Sequence, residues 1–331
     1  MARVRVAKKA AVEPAVTVRG LVKRYGEIEA VRGIDLDVIP GEVFGFLGPN
    51  GAGKSTTIKI LCTLVKPTAG TATVAGLDVG TQRTAVRRQI GLVFQEPTLD
   101  EYLTAEQNLR FHAAIYGMPR RAVAARVDSV LDLVGLADRK TSPVRTFSGG
   151  MKRRLEIARG LLHSPRVLFL DEPTIGLDPE SRQDLWGYVD ELRRREDITV
   201  FLTTHYMDEA ERCDRIAIIN HGTIVALGTP AELKAGVGDD LVRVVTADND
   251  AAILTIKKRL KVDATVDGNA LLVSVPDGEG FVPKLFGIGI SVTSVSVSRP
   301  TLDDVFMAHA GRRIGDEPAV TGRRWMQAMS R

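Results

Sequence analysis

The segment from Gly48 to Ser55, Gly-Pro-Asn-Gly-Ala-Gly-Lys-Ser, has the residue types and spacing of a loop that binds phosphate. It follows an apolar run, Val43–Leu47, and precedes a predicted helix, Thr56–Leu64. Its glycines allow consecutive backbone N–H groups to face one anion, and the helix N-terminus adds a partial positive charge. Lys54 is predicted to reach the terminal phosphates, and the Ser55 hydroxyl to hold Mg²⁺. The residues predicted to bind nucleotide here are Gly48, Pro49, Asn50, Gly51, Ala52, Gly53, Lys54, Ser55 and Thr56.

Two adjacent carboxylates, Asp171 and Glu172, follow a second apolar run, Val167–Leu170. This arrangement has the form of a Walker B strand, whose first carboxylate binds Mg²⁺ directly or through water. We assign that role to Asp171. A carboxylate beside the terminal phosphate can orient and deprotonate water, so Glu172 is predicted to be the general base of a hydrolysis reaction. The alternative is that both residues only cap a helix that begins after Pro173.

The elements that must position these residues belong to a predicted α/β domain, residues 15–235. Short apolar runs alternate there with helical segments, a pattern typical of a mostly parallel sheet. A third apolar run, Thr199–Leu202, is also predicted to be a strand covered on both faces. Ligands of open α/β sheets bind beyond the carboxyl ends of the strands. The polar residues that follow these three apolar runs would converge there. Residues 99–144 form a predicted helical insertion, in which Leu109 and Ala113 share one helix face.

After the first domain the pattern changes to βαββαβ, which predicts a small α+β domain of the ferredoxin-like type at residues 239–311. A short helix is expected after Pro300, with Thr301 as its N-cap. The remaining segments, 1–14 and 312–331, are predicted to be basic tails, the first of them disordered. The predicted elements of the second domain are strand 241–245, helix 250–260, two strands around 265–275, helix 280–286 and strand 291–298.

A third motif decides among the many proteins that share the first two. A P-loop with a Walker B strand is common to kinases, helicases and GTPases. The segment Thr146–Met151, Thr-Phe-Ser-Gly-Gly-Met, precedes a basic helical stretch, Lys152–Gly160, and resembles the signature sequence of ABC ATPases. With this motif the chain resembles the P-loop NTPase nucleotide-binding domain of an ABC ATPase. Phe147 and Met151 replace the leucine and glutamine most common in the family, but the serine and both glycines are present.

The resemblance implies roles for further residues. Gln95 corresponds to the Q-loop, which contacts Mg²⁺, and Asp178 lies in the D-loop. His205 corresponds to the switch histidine, and Tyr25 to the aromatic residue that stacks on adenine. A lone histidine would be weak evidence by itself, since it is more often an ordinary polar residue.

In the family, two copies assemble head to tail around two MgATP molecules, and the signature of one copy faces the γ-phosphate bound by the other. Two glycines and a serine at a helix N-terminus can present N–H and O–H groups to that phosphate. We therefore expect a homodimer on ATP binding. The implied catalytic residues are Lys54, Gln95, Glu172 and His205, the implied Mg²⁺ ligands are Ser55, Gln95 and Asp171, and the other copy contributes Ser148 and Gly150. Gly149 and Asp178 complete the expected nucleotide contacts.

The resemblance extends to one group of exporters. The segment Arg299–Phe306 and the small domain look like those of daunorubicin-resistance-type exporter ATPases. In that group the ATPase pairs with a separate transmembrane permease that exports drugs, antibiotics or lipids, and we expect residues 95–109 to contact it. The alternatives are an importer ATPase and a soluble ABC ATPase of translation or repair. The βαββαβ domain disfavours the first, and a single P-loop without long coiled-coil insertions disfavours the second.

The composition of the 331-residue chain indicates where it would work. Hydrophobic residues make up 44%, but no apolar run is long enough to cross a bilayer or serve as a secretory signal. The net charge of +4 lies in the tails, because the first ten residues carry four basic side chains and the last twenty carry five arginines against two carboxylates. Basic tails on a slightly acidic body fit an anionic membrane better than nucleic acid, although solvated, disordered ends are the alternative. We therefore expect no nucleic acid partner and a peripheral position on the cytoplasmic face of the cell membrane.

Overall fold

The structure, a computed structural model, describes residues 13–196 and 198–310. These residues form two compact units that divide between Leu227 and Gly228. The predicted basic tails lie outside the described residues, apart from Glu13 and Pro14. Among the described residues, no helix combines the length and the apolar character needed to cross a lipid bilayer.

The first unit alternates strands and helices. Its described strands are β1 (Val16–Tyr25), β2 (Ile28–Val38), β3 (Val43–Leu47), β4 (Ala69–Val74), β5 (Leu77–Asp78), β6 (Ile90–Val93), β7 (Val167–Asp171), β8 (Thr199–Thr204), β9 (Arg215–Asn220) and β10 (Thr223–Gly228). Its described helices are α1 (Lys54–Leu61), α2 (Arg83–Gln89), α3 (Ala105–Ile115), α4 (Arg120–Leu133), α5 (Gly149–Leu161), α6 (Pro179–Glu196) and α7 (Met207–Ala210).

The central sheet of this unit has the strand order β10-β9-β3-β8-β7-β6. Strand β3 runs parallel to β8 and β9, and β7 runs parallel to β6 and β8. Every residue of β3, β7 and β8 is buried, which explains why the three apolar runs are continuous. Because these strands are parallel, their carboxyl ends share one edge of the sheet. Gly48, Glu172 and His205 each follow directly at that edge.

A second, antiparallel sheet has the order β2-β1-β4-β5. Its residues Val18 and Ile34 belong to the same buried apolar cluster as Phe46 of β3 and Ile58 of α1. This shared cluster anchors α1 and the loop that precedes it. Tyr25 is the last residue of β1, so the same sheet positions the aromatic ring to which the family resemblance gives adenine stacking.

The predicted bounds of the first helix, Thr56–Leu64, are wrong at both ends. Helix α1 begins at Lys54, because the phosphate-binding loop runs directly into its first turn. It ends at Leu61, and Thr63 takes a left-handed conformation with φ of 61°, which cannot continue a helix.

The helical insertion consists of α3 and α4, which lie inside the predicted range 99–144. Thr104 and Gln107 form a capping box at the start of α3, in which the Gln107 N–H donates to Thr104 Oγ1 (3.2 Å) and the Thr104 N–H donates to Gln107 Oε1 (2.8 Å). Leu109 and Ala113 are buried on the face that the sequence predicts.

The second unit has the predicted βαββαβ order. Its sheet has the strand order β12-β13-β11-β14, with every neighbouring pair antiparallel, so β13 lies between β11 and β12. This split arrangement is ferredoxin-like, and the predicted fold class is confirmed. The elements are α8 (Pro230–Ala235), β11 (Asp240–Thr246), α9 (Asn249–Leu260), β12 (Ala264–Asp267), β13 (Ala270–Val275), α10 (Gly278–Phe286), β14 (Val292–Ser298) and α11 (Leu302–Ala310).

Two helices at the ends of the second unit pack against each other. Helix α8 contacts α11, so its contacts place it in this unit, whereas the predicted first domain, residues 15–235, includes it. The sequence could not show this, because the partner of α8 lies far along the chain. Thr301 caps α11 as predicted, since the Asp304 N–H donates to Thr301 Oγ1 (3.2 Å) and the Thr301 N–H donates to Asp304 Oδ2 (2.8 Å).

Candidate functional site

The loop between β3 and α1 lines a cleft of about 430 Å³. Gly53 has φ of 110°, and a β-carbon there would lie 2.5 Å from the carbonyl oxygen of Ala30, so only glycine fits. The N-terminus of α1 starts in this loop and brings its free N–H groups to the cleft. Gly48 and Ala52 are buried. The predicted nucleotide-binding residues that line the cleft are Pro49, Asn50, Gly51, Gly53, Lys54, Ser55 and Thr56.

The Lys54 side chain is only 4% exposed and lines the cleft. Its Nζ donates to the carbonyl oxygens of Gly48 (2.6 Å) and Pro49 (3.0 Å). The same Nζ lies 3.0 Å from Glu172 Oε1. Three oxygen atoms therefore satisfy this buried ammonium, which brings a positive charge to the wall of an anion-binding loop.

A hydroxyl and a carboxylate meet beside the loop. Ser55 Oγ donates to Asp171 Oδ1 at 3.1 Å, and Thr203 Oγ1 donates to the same oxygen at 2.7 Å. Among the described residues, no cluster of three or more His, Cys, Asp or Glu side chains forms a complete metal cage. Mg²⁺ is typically held by one or two protein oxygens together with phosphates and water, so the oxygen pair of Ser55 and Asp171 fits this ion.

Glu172 follows β7 with an unusual backbone, because its φ of 48° is rare for a residue with a side chain. Its N–H donates to Thr203 Oγ1 at 3.0 Å. Its Oε1 lies 3.5 Å from His205 Nδ1, too far for a strong hydrogen bond, and Nδ1 has no hydrogen-bond partner among the described residues. Burial alone would raise the pKa of Glu172, but nearby His205 and Lys54 outweigh it and hold that pKa below its ordinary value. Glu172 is therefore an ionised carboxylate at neutral pH, as a general base must be.

Gln95 lines the cleft, whereas Tyr25 does not and lies beside Thr56, which does. Gln95 follows β6, is exposed and lines the cleft. Tyr25 is half-buried beside α1, close to the Thr56 side chain. Burial raises the pKa of Tyr25, and the nearby Thr56 side chain only partly opposes this. Lys23 Nζ lies 4.8 Å from the centre of the Tyr25 ring.

The signature residues lie away from the cleft of their own chain. Ser148 and Gly149 are exposed at the N-terminus of α5, and Ser148 Oγ accepts the Met151 N–H at 3.2 Å. Gly150 is buried, and a β-carbon there would lie 2.6 Å from Ser181 Oγ. Asp178 caps α6 by accepting the N–H (2.9 Å) and hydroxyl (2.7 Å) of Ser181. The signature and the D-loop are therefore neighbours, and neither contributes to the lining of the P-loop cleft.

Two positioning residues carry no recognisable signal in the sequence. Thr203 joins Asp171 to the backbone of Glu172, as described above. Arg153 is buried on α5, where its Nε donates to the Pro173 carbonyl (2.6 Å) and its Nη2 to the carbonyls of Asp171 (3.3 Å) and Glu172 (3.2 Å). An arginine in a basic helix looks like a surface residue, so only the tertiary structure shows that it holds the end of β7.

Fold and site together define a class of protein. The cleft combines an anion-binding loop, a buried ammonium, a hydroxyl beside a carboxylate, and a second carboxylate beside a histidine. These are the parts of a P-loop nucleoside triphosphatase.

Comparison with known proteins places the chain in a family. Residues 31–175 match the family described as ABC transporter, and residues 228–310 match the one described as ATP-binding protein DrrA1-3-like, C-terminal domain. The chain is 42% identical over 306 residues to the daunorubicin resistance ATP-binding protein DrrA3 of Streptomyces coeruleorubidus, covering 90% of this chain and 96% of the relative. It is 38% identical over 304 residues to the linearmycin resistance ATP-binding protein LnrL of Bacillus subtilis, covering 89% and 97% respectively.

Solved structures agree with this assignment. CbiO1 from Clostridium perfringens, part of the ABC transporter complex CbiONQ, superposes with a TM-score of 0.64 and 29% identity, covering 75% of this chain and 96% of that one. The dimeric ATP-binding cassette MJ0796, in a post-hydrolysis state with ADP and phosphate, superposes with a TM-score of 0.59 and 27% identity. The match covers 65% of this chain and 98% of that one. The chain belongs to the ABC transporter family as an ATP-binding, ATP-hydrolysing subunit. The predictions of family, fold and activity are confirmed.

Proposed function

We propose that this chain powers the export of drugs, antibiotics or lipids through a separate membrane permease. The observation that carries the proposal is the match of both units to resistance-type ATP-binding proteins over 90% of the chain. The relatives are named for resistance to daunorubicin and to linearmycin. The second unit supports export over import, because residues 228–310 match the C-terminal domain of the DrrA group.

The proposed hydrolytic roles rest on the geometry of the cleft. Glu172 acts as the general base, because it is ionised and lies beside Lys54 and His205. Lys54 and His205 would neutralise charge on the phosphates and on Glu172. Ser55, Asp171 and Gln95 would hold Mg²⁺, which when bound offsets the phosphate charge.

We further propose that the active assembly is a head-to-tail homodimer. Ser148, Gly149 and Gly150 precede β7 in sequence and do not line the cleft of their own chain. A helix N-terminus with two exposed residues is suited to an anion carried by a second copy. Asp178, next to the signature, would lie at the same interface. The dimeric state of MJ0796 is a precedent in the family.

The proposed permease contact is the surface of residues 95–109, extended along α3. Tyr102 is 86% exposed, and Phe111 and Ile115 are each 64% exposed. Several large apolar side chains on one exposed region favour a protein partner, and the adjoining Gln95 connects this surface with the cleft. Such a contact would hold the chain at the cytoplasmic face of the membrane.

The test of the site compares the wild type with Glu172→Gln in MgATP, recording phosphate release and molecular mass in solution. The variant should lose turnover and accumulate an ATP-dependent dimer, because it keeps the nucleotide contacts and loses the base. Glu279→Gln, the same change at an exposed glutamate of the second unit, is the matched control and should behave as wild type. A Glu172→Gln variant that turns over normally as a monomer would refute both the base and the dimer.

The test of the cargo uses inverted membrane vesicles that contain the chain with its permease. Fluorescent daunorubicin should accumulate inside these vesicles when MgATP is added, and Glu172→Gln should abolish the accumulation. ATP-driven loss of a preloaded solute would instead support an importer, and ATP hydrolysis unaffected by any permease would support a non-transport ATPase.

A further inference from the structure

We infer that Glu209 is a positioning residue for ATP hydrolysis, whose buried carboxylate ties the segment after Glu172 to the segment that carries His205. The inference rests on the roles proposed above for Glu172 and His205. It concerns a side chain that does not line the cleft and to which the sequence motifs assign nothing.

Glu209 lies on α7, the short helix that begins two residues after His205. Its side chain is 1% exposed, although glutamate is almost never fully buried without partners. Burial raises the pKa of Glu209, and hydrogen bonds from two threonine hydroxyls oppose this shift. Because burying a carboxylate costs free energy, the hydrogen bonds of Glu209 indicate what the side chain does there.

The two hydroxyl groups come from the segment after Glu172 and from the segment that carries His205. Thr174, two residues after Glu172, donates its hydroxyl to Glu209 Oε1. Thr204, the residue before His205, donates its hydroxyl to Oε2 at 2.7 Å. Both threonines are 1% exposed. One carboxylate therefore bridges the loop that follows the proposed base and the strand end that carries the histidine.

Neighbouring contacts make the bridge rigid. Thr204 Oγ1 also accepts the Tyr206 N–H at 2.9 Å, which fixes the backbone on the far side of His205. The Tyr206 ring lies 4.1 Å from the His205 ring and 4.3 Å from the Arg182 guanidinium, measured to ring centroids. His205 is thus held by its own strand, by the aromatic ring and by the bridge through Glu209.

The consequence concerns the relative position of base and histidine. Glu172 Oε1 and His205 Nδ1 are 3.5 Å apart and belong to residues on different strand ends. A misplacement of about 1 Å in a catalytic group can cost about 100-fold in rate. Loss of the bridge would let the two segments move separately and lower kcat. Nucleotide binding should persist, because Lys54 and Ser55 make their contacts without Glu209.

The experiment compares Glu209→Ala with Glu209→Gln in the full chain. Glu209→Ala should lower kcat roughly 10- to 100-fold while the KM for MgATP and the Kd for ADP stay within about twofold of wild type. Glu209→Gln can still accept one hydroxyl hydrogen and donate to the other oxygen, so it should recover most of kcat. Asp208→Ala, at an exposed carboxylate on the same helix, is the matched control and should leave kcat unchanged.

A milder variant, Thr174→Val, tests the same connection in case Glu209→Ala does not fold. Thr174→Val removes one arm of the bridge and keeps the shape of the side chain; it should lower kcat in the same direction. Combined with Glu209→Ala, it should add less than about twofold, because both changes break the same connection. The melting temperature of each protein is measured on a separate sample, and kcat is expressed per folded molecule.

Three results would overturn the inference: a Glu209→Ala enzyme with kcat within twofold of wild type, a parallel loss of kcat and ADP affinity, or a Glu209→Gln enzyme as slow as Glu209→Ala. Glu172→Gln is assayed alongside. If that variant hydrolyses ATP normally, the proposed base is wrong whatever Glu209 does, so the two failures are distinguishable.

Discussion

Replacing Arg153 with methionine should destabilise the first unit more than most single substitutions. The guanidinium is 6% exposed and donates to the backbone oxygens of Asp171, Glu172 and Pro173. It also pairs with Glu156, whose Oε2 lies 3.1 Å from Arg153 Nη1 and whose side chain is fully buried. Methionine preserves much of the volume but removes every donor.

The expected magnitude follows from what remains behind. Breaking a buried ion pair by removing one partner costs about 3–5 kcal/mol, because the other charge stays buried. Glu156 would keep the Thr98 N–H at 2.8 Å, the Thr98 hydroxyl at 3.4 Å and Arg159, whose Nη2 is 3.8 Å away. For a domain of this size, 1 kcal/mol shifts the melting temperature by about 2–4 °C. The melting temperature should therefore fall by roughly 6–20 °C.

The assay is thermal unfolding followed by the fluorescence of Trp186, which is 3% exposed on α6 of the first unit. Trp325 is replaced by phenylalanine in all proteins so that Trp186 is the only fluorophore of its kind. Arg121→Met, at an exposed position of α4, is the matched control and should melt within about 2 °C of wild type. Arg153→Met with Glu156→Gln should recover part of the loss, because the unpaired charge is gone.

The reasoning would be refuted if Arg153→Met melted within 2 °C of its parent. It would also be refuted if the double variant melted as low as the single one, since the cost would then not arise from the stranded carboxylate. Loss of ATP hydrolysis without loss of stability would show that Arg153 acts on the end of β7 alone.

Three further outcomes can be measured. Burial lowers the pKa of His112 from 6.5 to about 4, so the unfolded chain binds more protons between these values and stability falls as pH drops through that window. In urea titrations, His112→Gln should therefore lose less stability than wild type between about pH 7 and about pH 4. Gly150→Ala should cost about 1–3 kcal/mol by urea unfolding, because its β-carbon would lie 2.6 Å from Ser181 Oγ, and adding Ser181→Gly should restore most of it. Thr301→Ala should lose about 0.5–2 kcal/mol of cap energy and speed amide hydrogen exchange in Leu302–Ala310, whereas Thr301→Ser should not.

Much of the fold could be predicted because its signals are local. Val43–Leu47 is a strand with the predicted bounds, since five consecutive buried residues leave a continuous apolar run. The βαββαβ order of the second unit was also readable from alternation and spacing. The predicted domain boundary puts α8 in the first domain, whereas α8 packs against α11 of the second unit. The residue pattern of neither segment identifies the other as its packing partner.

Residue types in the sequence determined the chemistry of this protein, because a phosphate-binding loop and a pair of carboxylates need particular groups at fixed spacing. The tertiary structure alone decided which groups hold them in place. Thr203 reaches Asp171 from a neighbouring strand, Arg153 reaches the end of β7 from α5, and Glu209 reaches Thr174 from α7. The physical reason is that a hydrogen bond between distant segments depends on how strands and helices pack, and neither periodicity nor composition records that packing.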